Sequence, residues 1–509
     1  MFLNFLSSPK RESMSSIDTA WLRMDRPTNL MVINGVLFFE TQIDFERLKR
    51  VIEARLLKYK RFKQKVVRIG TNAYWEDDPD FDLANHFHLI ALPGKAGKAE
   101  LEKMMSEMIS TPLDFSKPLW QFYVVENYAG GSALVARIHH SIGDGIALIQ
   151  VLLSMTDKEA NPAAPEKALK TPKFVAGDEE DSDDFFMRLY KPVSKMYTGM
   201  LKSYYKLVGT SYGLMMNPGK LLDYTQTGLG VSQGLAKLAT MPSDPRTKFK
   251  GKQSTAKRIA WAESLPLQEV KDIGKVLGCS VNDILLSAVA GALRGYLMER
   301  GENVDGLDIR ASVPVNLRPE NRLGELGNYF GLVFLSLPIG IANPIERVYE
   351  VKRRMNAIKG SYEAVVALGL LSVVGMLPDM LEQGAIELFS TKATAVMTNV
   401  PGPRERIYMA GAGVKDLNFW VPQSGEITMG VSILSYNNRV NFGVMTDKKL
   451  VPDPENIIRR FSGEFEKLVL TVLMQTWEEA PDPQLAEINL GLMALVAGMG
   501  HDGRPKRVV

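Results

Sequence analysis

Apolar positions along this chain switch repeatedly between a period of two and a period near three and a half, the pattern of strands alternating with helices. After a short opening segment, 15–26, residues 30–39 read as a strand. Phe45, Leu48, Val51, Ile52 and Leu56 then recur at helical spacing, with Glu46, Arg47, Lys49 and Arg50 on the other face. The basic run 58–65 reads as a solvated end. Residues 74–75, 81–83 and 86–93 are extended pieces, and 98–108 is a helix. Residues 121–125 and 132–140, with Gly130-Gly131 between them, predict a hairpin, and 147–155 a helix. The second half repeats the alternation: a strand from 258, helices over 267–277 and 281–297, strands over 311–315 and after Gly331, a hairpin at 429–446 and a helix over 455–470.

Between the halves the pattern breaks. Asn161-Pro162-Ala163-Ala164-Pro165 and the acidic run 178–184 are linker chemistry, extended by self-repulsion and without apolar anchors. Residues 185–238 return to apolar content, with Met, Tyr and Leu at helical spacing in places beside Lys191, Lys195, Lys202 and Lys206. Crossing helices packed on the body, or contact with a membrane or lipid droplet, both fit. The basic run 246–258 suits CoA phosphates, anionic lipid or a solvated connector equally. The run 364–377 lacks charge but is shorter than the roughly 20 residues a spanning helix needs, so a core helix is the expectation. Residues 484–509 read as an apolar patch and a loose basic tail.

Composition narrows the classes. At 509 residues, 45% apolar and 23% charged, the chain is long enough for large cores, which excludes disorder of the whole. Sixty-one basic against 58 acidic residues leave +3, so bulk charge gives no argument for nucleic acid. A single cysteine, Cys279, suits a reducing compartment. The apolar stretch 1–6 is too short for a signal sequence, and we expect no export.

The best chemical lead is His139-His140-Ser141-Ile142-Gly143-Asp144-Gly145, which joins a strand, a turn and a helix. Side chains alternate across a strand, so His139 and His140 face opposite ways and only one serves a given site. Gly143 and Gly145 permit a sharp exit. Ser141 lies beside the histidines, but no nucleophile elbow surrounds it. His86 and His88 have a spacing zinc could use, yet no further His or Cys cluster accompanies them, and we expect no metal. Ser280 and Asp283 form a capping box for the helix from 281.

That stretch resembles the HHxxxDG signature of the CoA-dependent acyltransferase superfamily, and the nearest branch is the bacterial wax ester synthase/diacylglycerol acyltransferases. Pro118-Leu119-Trp120 resembles the family's PLW motif, with Trp120 expected in the core. Asn282-Asp283, Asn316-Leu317-Arg318-Pro319, the segment 326–331 and Asn399-Val400-Pro401-Gly402-Pro403 also match, in family order. Asp82 and His86 fall in a strand that looks familial, and we favour a structural role for both. The DFGWG motif of the plant branch is absent.

The resemblance implies an α/β (α+β) fold of two chloramphenicol-acetyltransferase-like domains, each a mostly antiparallel or mixed sheet with helices, and an active-site tunnel between them. The expected division is 1–155, a linker and crossover at 156–250, and 251–509. His140 is then the general base and His139 auxiliary. Asp144 supports the loop with Gly145, Arg318 is its partner, Asp283 is structural, and Asn282 contacts the thioester oxygen. The implied reaction moves a long-chain acyl group from acyl-CoA, a co-substrate rather than a bound cofactor, to diacylglycerol or a fatty alcohol. The CoA-binding residues are left unassigned. The expected setting is cytoplasmic, at the inner membrane or lipid inclusions. Other hydroxyl or amine acceptors, as in polyketide-associated or condensation enzymes, and a non-catalytic lipid-surface protein are the alternatives.

Overall fold

A computed structural model of the chain describes residues 11–70, 72–162, 240–318, 322, 325–358, 367 and 379–474. The segment 185–238, the acidic linker, the run 364–377 apart from Ala367, and the ends 1–10 and 475–509 lie outside the described residues.

In the first half the elements are β1 (Arg11–Ser13), α1 (Ser16–Met24), β2 (Val32–Phe39), α2 (Phe45–Val51), β3 (Gln64–Ile69), β4 (Asn72–Asp77), β5 (Phe87–Ile90), α3 (Lys98–Ile109), β6 (Trp120–Val125), β7 (Ser132–His139) and α4 (Gly145–Ser154). Side-chain caps start several of them: Ser15 Oγ accepts the Asp18 amide of α1, and Asp44 Oδ1 accepts the Arg47 amide of α2. In the second half come β8 (Lys257–Trp261), β9 (Leu265–Pro266), α5 (Leu267–Leu277), α6 (Val281–Glu299), β10 (Ile309–Asn316), β11 (Phe330–Leu337), α7 (Pro344–Ile358), α8 (Asp379–Ser390), β12 (Ala395–Pro401), β13 (Tyr408–Met409), β14 (Ala412–Trp420), β15 (Met429–Tyr436), β16 (Arg439–Asp447) and α9 (Pro454–Met474). The opening segment is thus a helix, and the basic run at 58–65 leads into a strand through a turn whose Phe62 is fully buried.

Two mixed sheets carry the molecule. The first is six-stranded in the order β13-β14-β2-β7-β6-β5, with β5 and β6 parallel and β7 between β2 and β6. The second runs β11-β10-β12-β15-β16-β8, with β9 beside β16, and its parallel pairs are β10-β12 and β12-β15. A three-stranded sheet, β1-β4-β3, stands apart. Two strands from the second half, β13 and β14, complete the first sheet: β14 pairs antiparallel with β2 from Val414↔Phe39 to Trp420↔Asn34, and β13 with β14. The pairing brings Trp420 and Trp261 into one buried apolar cluster with Val36, Phe38 and Val135 of the first sheet.

The second sheet's core is closed by α6, buried along most of its length. Gly291 of α6 makes room for a buried ion pair between its neighbours: Arg347 of α7 bonds Glu464 of α9, and a Cβ at Gly291 would strike both. Among the described residues no single helix is long and apolar enough to cross a membrane, and the bent pair α5 and α6 that passes on composition holds many core residues.

Candidate active site

Strand β7 delivers the two histidines to the edge where the sheets meet. Its last backbone bonds fix them: the His139 amide donates to Leu119 O at 3.0 Å and the His140 amide to Met31 O at 2.7 Å. From there the side chains part. His139 is wholly buried, and its Nδ1 accepts the Ser141 backbone N–H at 3.1 Å and lies 2.8 Å from Ser141 Oγ. A nitrogen that accepts an amide carries no proton, so the proton sits on Nε2, which lies 3.3 Å from Asp25 Oδ2 but off the line of a hydrogen bond. Every polar group of this histidine thus looks into protein.

His140 looks the other way. Trp21 of α1 stacks on its ring with centroids 4.0 Å apart and planes 13° from parallel, and Phe330 stands 5.7 Å away. Its Nδ1 is enclosed without a partner, which leaves Nε2 toward the cavity described below. Burial pushes its pKa down to about 4, against upward pulls from the Asp144 charge, its own backbone carbonyl and Asn328, while His139 adds to the depression. At neutral pH the ring is uncharged and its lone pair is free to take a proton.

Asp144 borders the cavity, but both its carboxylate oxygens are engaged in tying the turn. Oδ1 caps α4 by accepting the Ala147 amide at 2.9 Å, and Oδ2 accepts Arg318 Nη2 and the Tyr329 amide, each at 2.9 Å. Arg318 is fully buried and donates further to Glu325 O and Gly327 O, which bolts the turn to the loop before β11. Backbone bonds finish the seam, Asp144 N to Gly327 O and Gly327 N to Ile142 O. The left-handed glycine here is Gly327, at φ 110°; neither Gly143 nor Gly145 has positive φ, so chain freedom is not what those two supply. Gly145 opens α4 and lines the cavity, where a Cβ would meet nothing within 4 Å.

Three contacts come from the N-terminal helix region, which no motif marked. Asn328 Nδ2 donates to Asp18 Oδ1 and to the His140 carbonyl, 2.8 Å each, so Asp18 fixes the catalytic turn through Asn328. Burial raises the Asp18 carboxyl above its ordinary range, against bonds from Asn328 and Ser15. Trp21 supplies the stacked ring. Asp25, at the end of α1, accepts the Met31 amide at 2.9 Å and faces His139. The only sequence signal was the i, i+3 spacing of Asp18 and Trp21 on a capped helix.

Nε2 of His140 opens onto a cavity of about 380 Å³. Its floor is one face of the second sheet, built by the period-two rows Ser312, Pro314, Asn316 of β10, Phe330 and Leu332 of β11, and Val396, Thr398, Val400 of β12. Met31, just before β2, Ile33 of β2 and Phe419 of β14 close it from the first sheet, and Ile386, Leu388 and Phe389 of α8 line its outer end. Leu388 is 60% exposed, so an apolar side chain stands at the surface beside this end.

Other candidates lie elsewhere. Asn282 is not among the side chains lining the cavity; its Oδ1 accepts Asn399 Nδ2. Asp283 completes the capping box, its Oδ2 accepting the Ser280 amide at 2.8 Å. Ser141 is buried and engaged with His139, away from the cavity. His86 lies in the turn before β5 rather than alternating with His88 along it, and its Nδ1 meets Trp120 O at 2.8 Å. Trp120 is fully buried and donates to Phe62 O. Among the described residues no cluster of metal-binding type occurs. The basic run is partly internal: Lys250 donates to the carbonyls of Ser390, Thr391 and Ala393, and Lys257 pairs with buried Asp447 at 2.9 Å, so neither is offered to CoA or lipid.

These features define a two-sheet protein with one neutral, cavity-facing histidine. Comparison with known proteins gives its family. The wax ester synthase/diacylglycerol acyltransferase catalytic domain matches residues 14–285, and the C-terminal domain of the same family matches 326–469. The chain belongs to this family, and it is an O-acyltransferase. A probable diacylglycerol O-acyltransferase of Mycobacterium tuberculosis is 26% identical over 468 residues, covering 90% of this chain and 95% of that one. The O-acyltransferase WSD of Acinetobacter baylyi is 26% identical over 411 residues, covering 77% and 82%. In fold, the chain is similar to a wax ester synthase/diacylglycerol acyltransferase from Marinobacter aquaeolei, with TM-score 0.64, 20% identity and coverage of 91% and 100%. The first condensation domain of the CDA synthetase shares the fold at TM-score 0.58 and 13% identity, over 90% of this chain and 96% of that one.

Proposed function

We propose that this O-acyltransferase moves a long-chain acyl group from acyl-CoA to the hydroxyl of a diacylglycerol or fatty alcohol, with His140 as general base. The observation that carries the proposal is a buried, neutral imidazole whose one open nitrogen faces an apolar cavity. Nε2 takes the acceptor's hydroxyl proton as that oxygen attacks the thioester carbonyl. Collapse of the tetrahedral adduct breaks the C–S bond, and the imidazolium returns the proton to the leaving thiolate, so an ester and CoA thiol are the products. No covalent acyl-enzyme is needed, and the placement of Ser141 away from the cavity supports direct transfer. Trp21 supports the same role, because an indole face stabilises the transient imidazolium it covers. Asp144 and Arg318 keep the turn in register and stay out of the proton transfer.

Both acceptors are nearly insoluble in water, so we place the reaction at a lipid surface, the cytoplasmic face of the inner membrane or a lipid inclusion, met through reversible contact. Exposed Leu388 at the cavity's outer end supports that approach. The test is purified protein with palmitoyl-CoA and either hexadecanol or dipalmitoylglycerol, with thiol release followed and lipid products separated by thin-layer chromatography. Ester formed in step with free thiol is the expected result, and thiol release without ester would reject acyl transfer to these acceptors.

A further inference from the structure

Two walls in direct contact bound the outer end of the cavity. One is the last turn of α8, where Ile386, Phe389 and Ser390 line the space, and the other is the turn 424–427, where Ser424 and Ile427 line it. The Ser424 carbonyl accepts the Ile427 amide at 2.9 Å, and Gly425 takes the first central position of this turn at φ 55°, a left-handed conformation that glycine adopts without strain. A Cβ placed on Gly425 would strike the Cβ and Oγ of Ser390, which is 1% exposed. The contact has room for a hydrogen and none for a methyl group.

One short segment pins both walls. Lys250 Nζ donates to the carbonyls of Thr391 and Ala393 at 2.8 Å and of Ser390 at 3.3 Å, at the end of α8. Gln253 Nε2 donates to the carbonyls of Gly425 and Ile427 at 2.7 and 2.8 Å. Lys257 holds that amide from behind, its Nζ donating to Gln253 Oε1 at 2.6 Å while it pairs with buried Asp447. Burying an ammonium and an amide is unfavourable unless their donors are used, and here they are used on these two walls.

The position of the contact decides what it can do. The rows of the cavity floor run from Asn316 and Val400, near the catalytic turn that Arg318 ties to β10, to Ser312 and Val396, four residues or about 13 Å along the strands. Val396 packs in one cluster with Phe389 and Ile427, so the far end of the row is where the walls meet. Exposed Leu388 belongs to the same turn of α8, and a lipid entering beside it passes the contact.

We infer that the contact between Gly425 and Ser390 sets the width of lipid that the cavity admits, and with it the balance between single-chain and two-chain acceptors. This rests on the acyl-transfer reading with entry beside Leu388, and adds to it a determinant of acceptor width. Both residues lie at the far end of the cavity from His140 and act through the walls they join.

The test uses the full chain with palmitoyl-CoA and mixed micelles of hexadecanol or 1,2-dipalmitoylglycerol, and reads kcat/KM for each acceptor by thiol release. Gly425→Ala inserts a methyl group between the walls and forces them apart. The ratio of dipalmitoylglycerol to hexadecanol use is expected to rise about fivefold or more, because fitted pockets discriminate by single methylenes. Adding Ser390→Gly removes both atoms that the methyl would strike, so the double variant returns to within about twofold of the wild-type ratio. The left-handed alanine remains in the double variant, so a change caused by backbone strain alone would persist there. Ser390→Val wedges the same contact from the other wall, and gives the same rise if Gly425→Ala does not fold. A ratio that stays at the wild-type value in the wedged variants, or a double variant that keeps the raised ratio, overturns the control of width. A wild type that esterifies neither acceptor overturns the acyl-transfer reading, and the control of width with it.

Discussion

His139 and His140 share a strand end, yet their surroundings are opposite. The first has both ring nitrogens facing polar protein groups, Ser141 on one side and Asp25 on the other. The second has Nδ1 enclosed without a partner, an indole on its face and an apolar cavity before it. The first is part of the frame, because Ser141 occupies its Nδ1 and its ring is wholly buried away from the cavity. The second lines the cavity and is the one available for chemistry. The alternation of a strand makes this division between neighbouring residues possible, and the turn after it, clamped by Asp144, Arg318 and Asn328, keeps it in place.

Breaking the clamp should have the largest effect on stability. Arg318→Met leaves Asp144 buried without its ionic partner, and a loss of about 3 to 5 kcal/mol is expected in chemical denaturation, with activity falling alongside. Adding Asp144→Asn should recover part of that loss; strictly additive effects would mean that the pair is not coupled.

Acid should separate the two sides next. The folded pKa of His140 is about 4 against an ordinary 6.5. Above pH 6.5 the ring is neutral folded or unfolded and contributes nothing. As pH falls from 6.5 to 4 the unfolded chain takes a proton that the folded one refuses, so up to about 3 kcal/mol of stability is lost. His140→Gln should lack this component. Asp18, whose carboxyl is raised by burial, acts in the opposite sense, and comparing wild type with His140→Gln cancels it. Equal pH dependence in the two proteins would remove the depressed imidazole from the account.

The smallest effect is expected at Asn282. Its oxygen accepts from Asn399, so Asn282→Ala should cost about 1 kcal/mol and leave kcat within a few-fold. A drop in kcat beyond about a hundredfold at unchanged stability would return Asn282 to the reacting atoms.

Much of the site was legible before the fold. Opposite faces for His139 and His140 follow from strand geometry, and the capping box at Ser280 is local. Resemblance supplied the partnership of Asp144 and Arg318, 174 positions apart, which no periodicity contains. What stayed hidden depends on contacts between distant segments. Asp18, Trp21 and Asp25 sit in an opening stretch whose helix is short, and their value appears only when Asn328 and the end of β7 meet them. Strand β14 reads as part of the second half by position, and only its pairing with β2 moves it to the first sheet. Lys250 and Lys257 looked like surface charge because composition counts a lysine alike whether its ammonium meets water or three carbonyls.

The central claim is that His140, and not its neighbour, takes the proton. The direct measurement sets His140→Gln beside His139→Gln in one thiol-release assay with palmitoyl-CoA and a lipid acceptor, circular dichroism verifying that both fold. The account predicts a fall of about 10² to 10⁴-fold for His140→Gln and no more than about tenfold for His139→Gln. A His140 variant that keeps more than about a tenth of the rate, or a reversed order of the two, would contradict it.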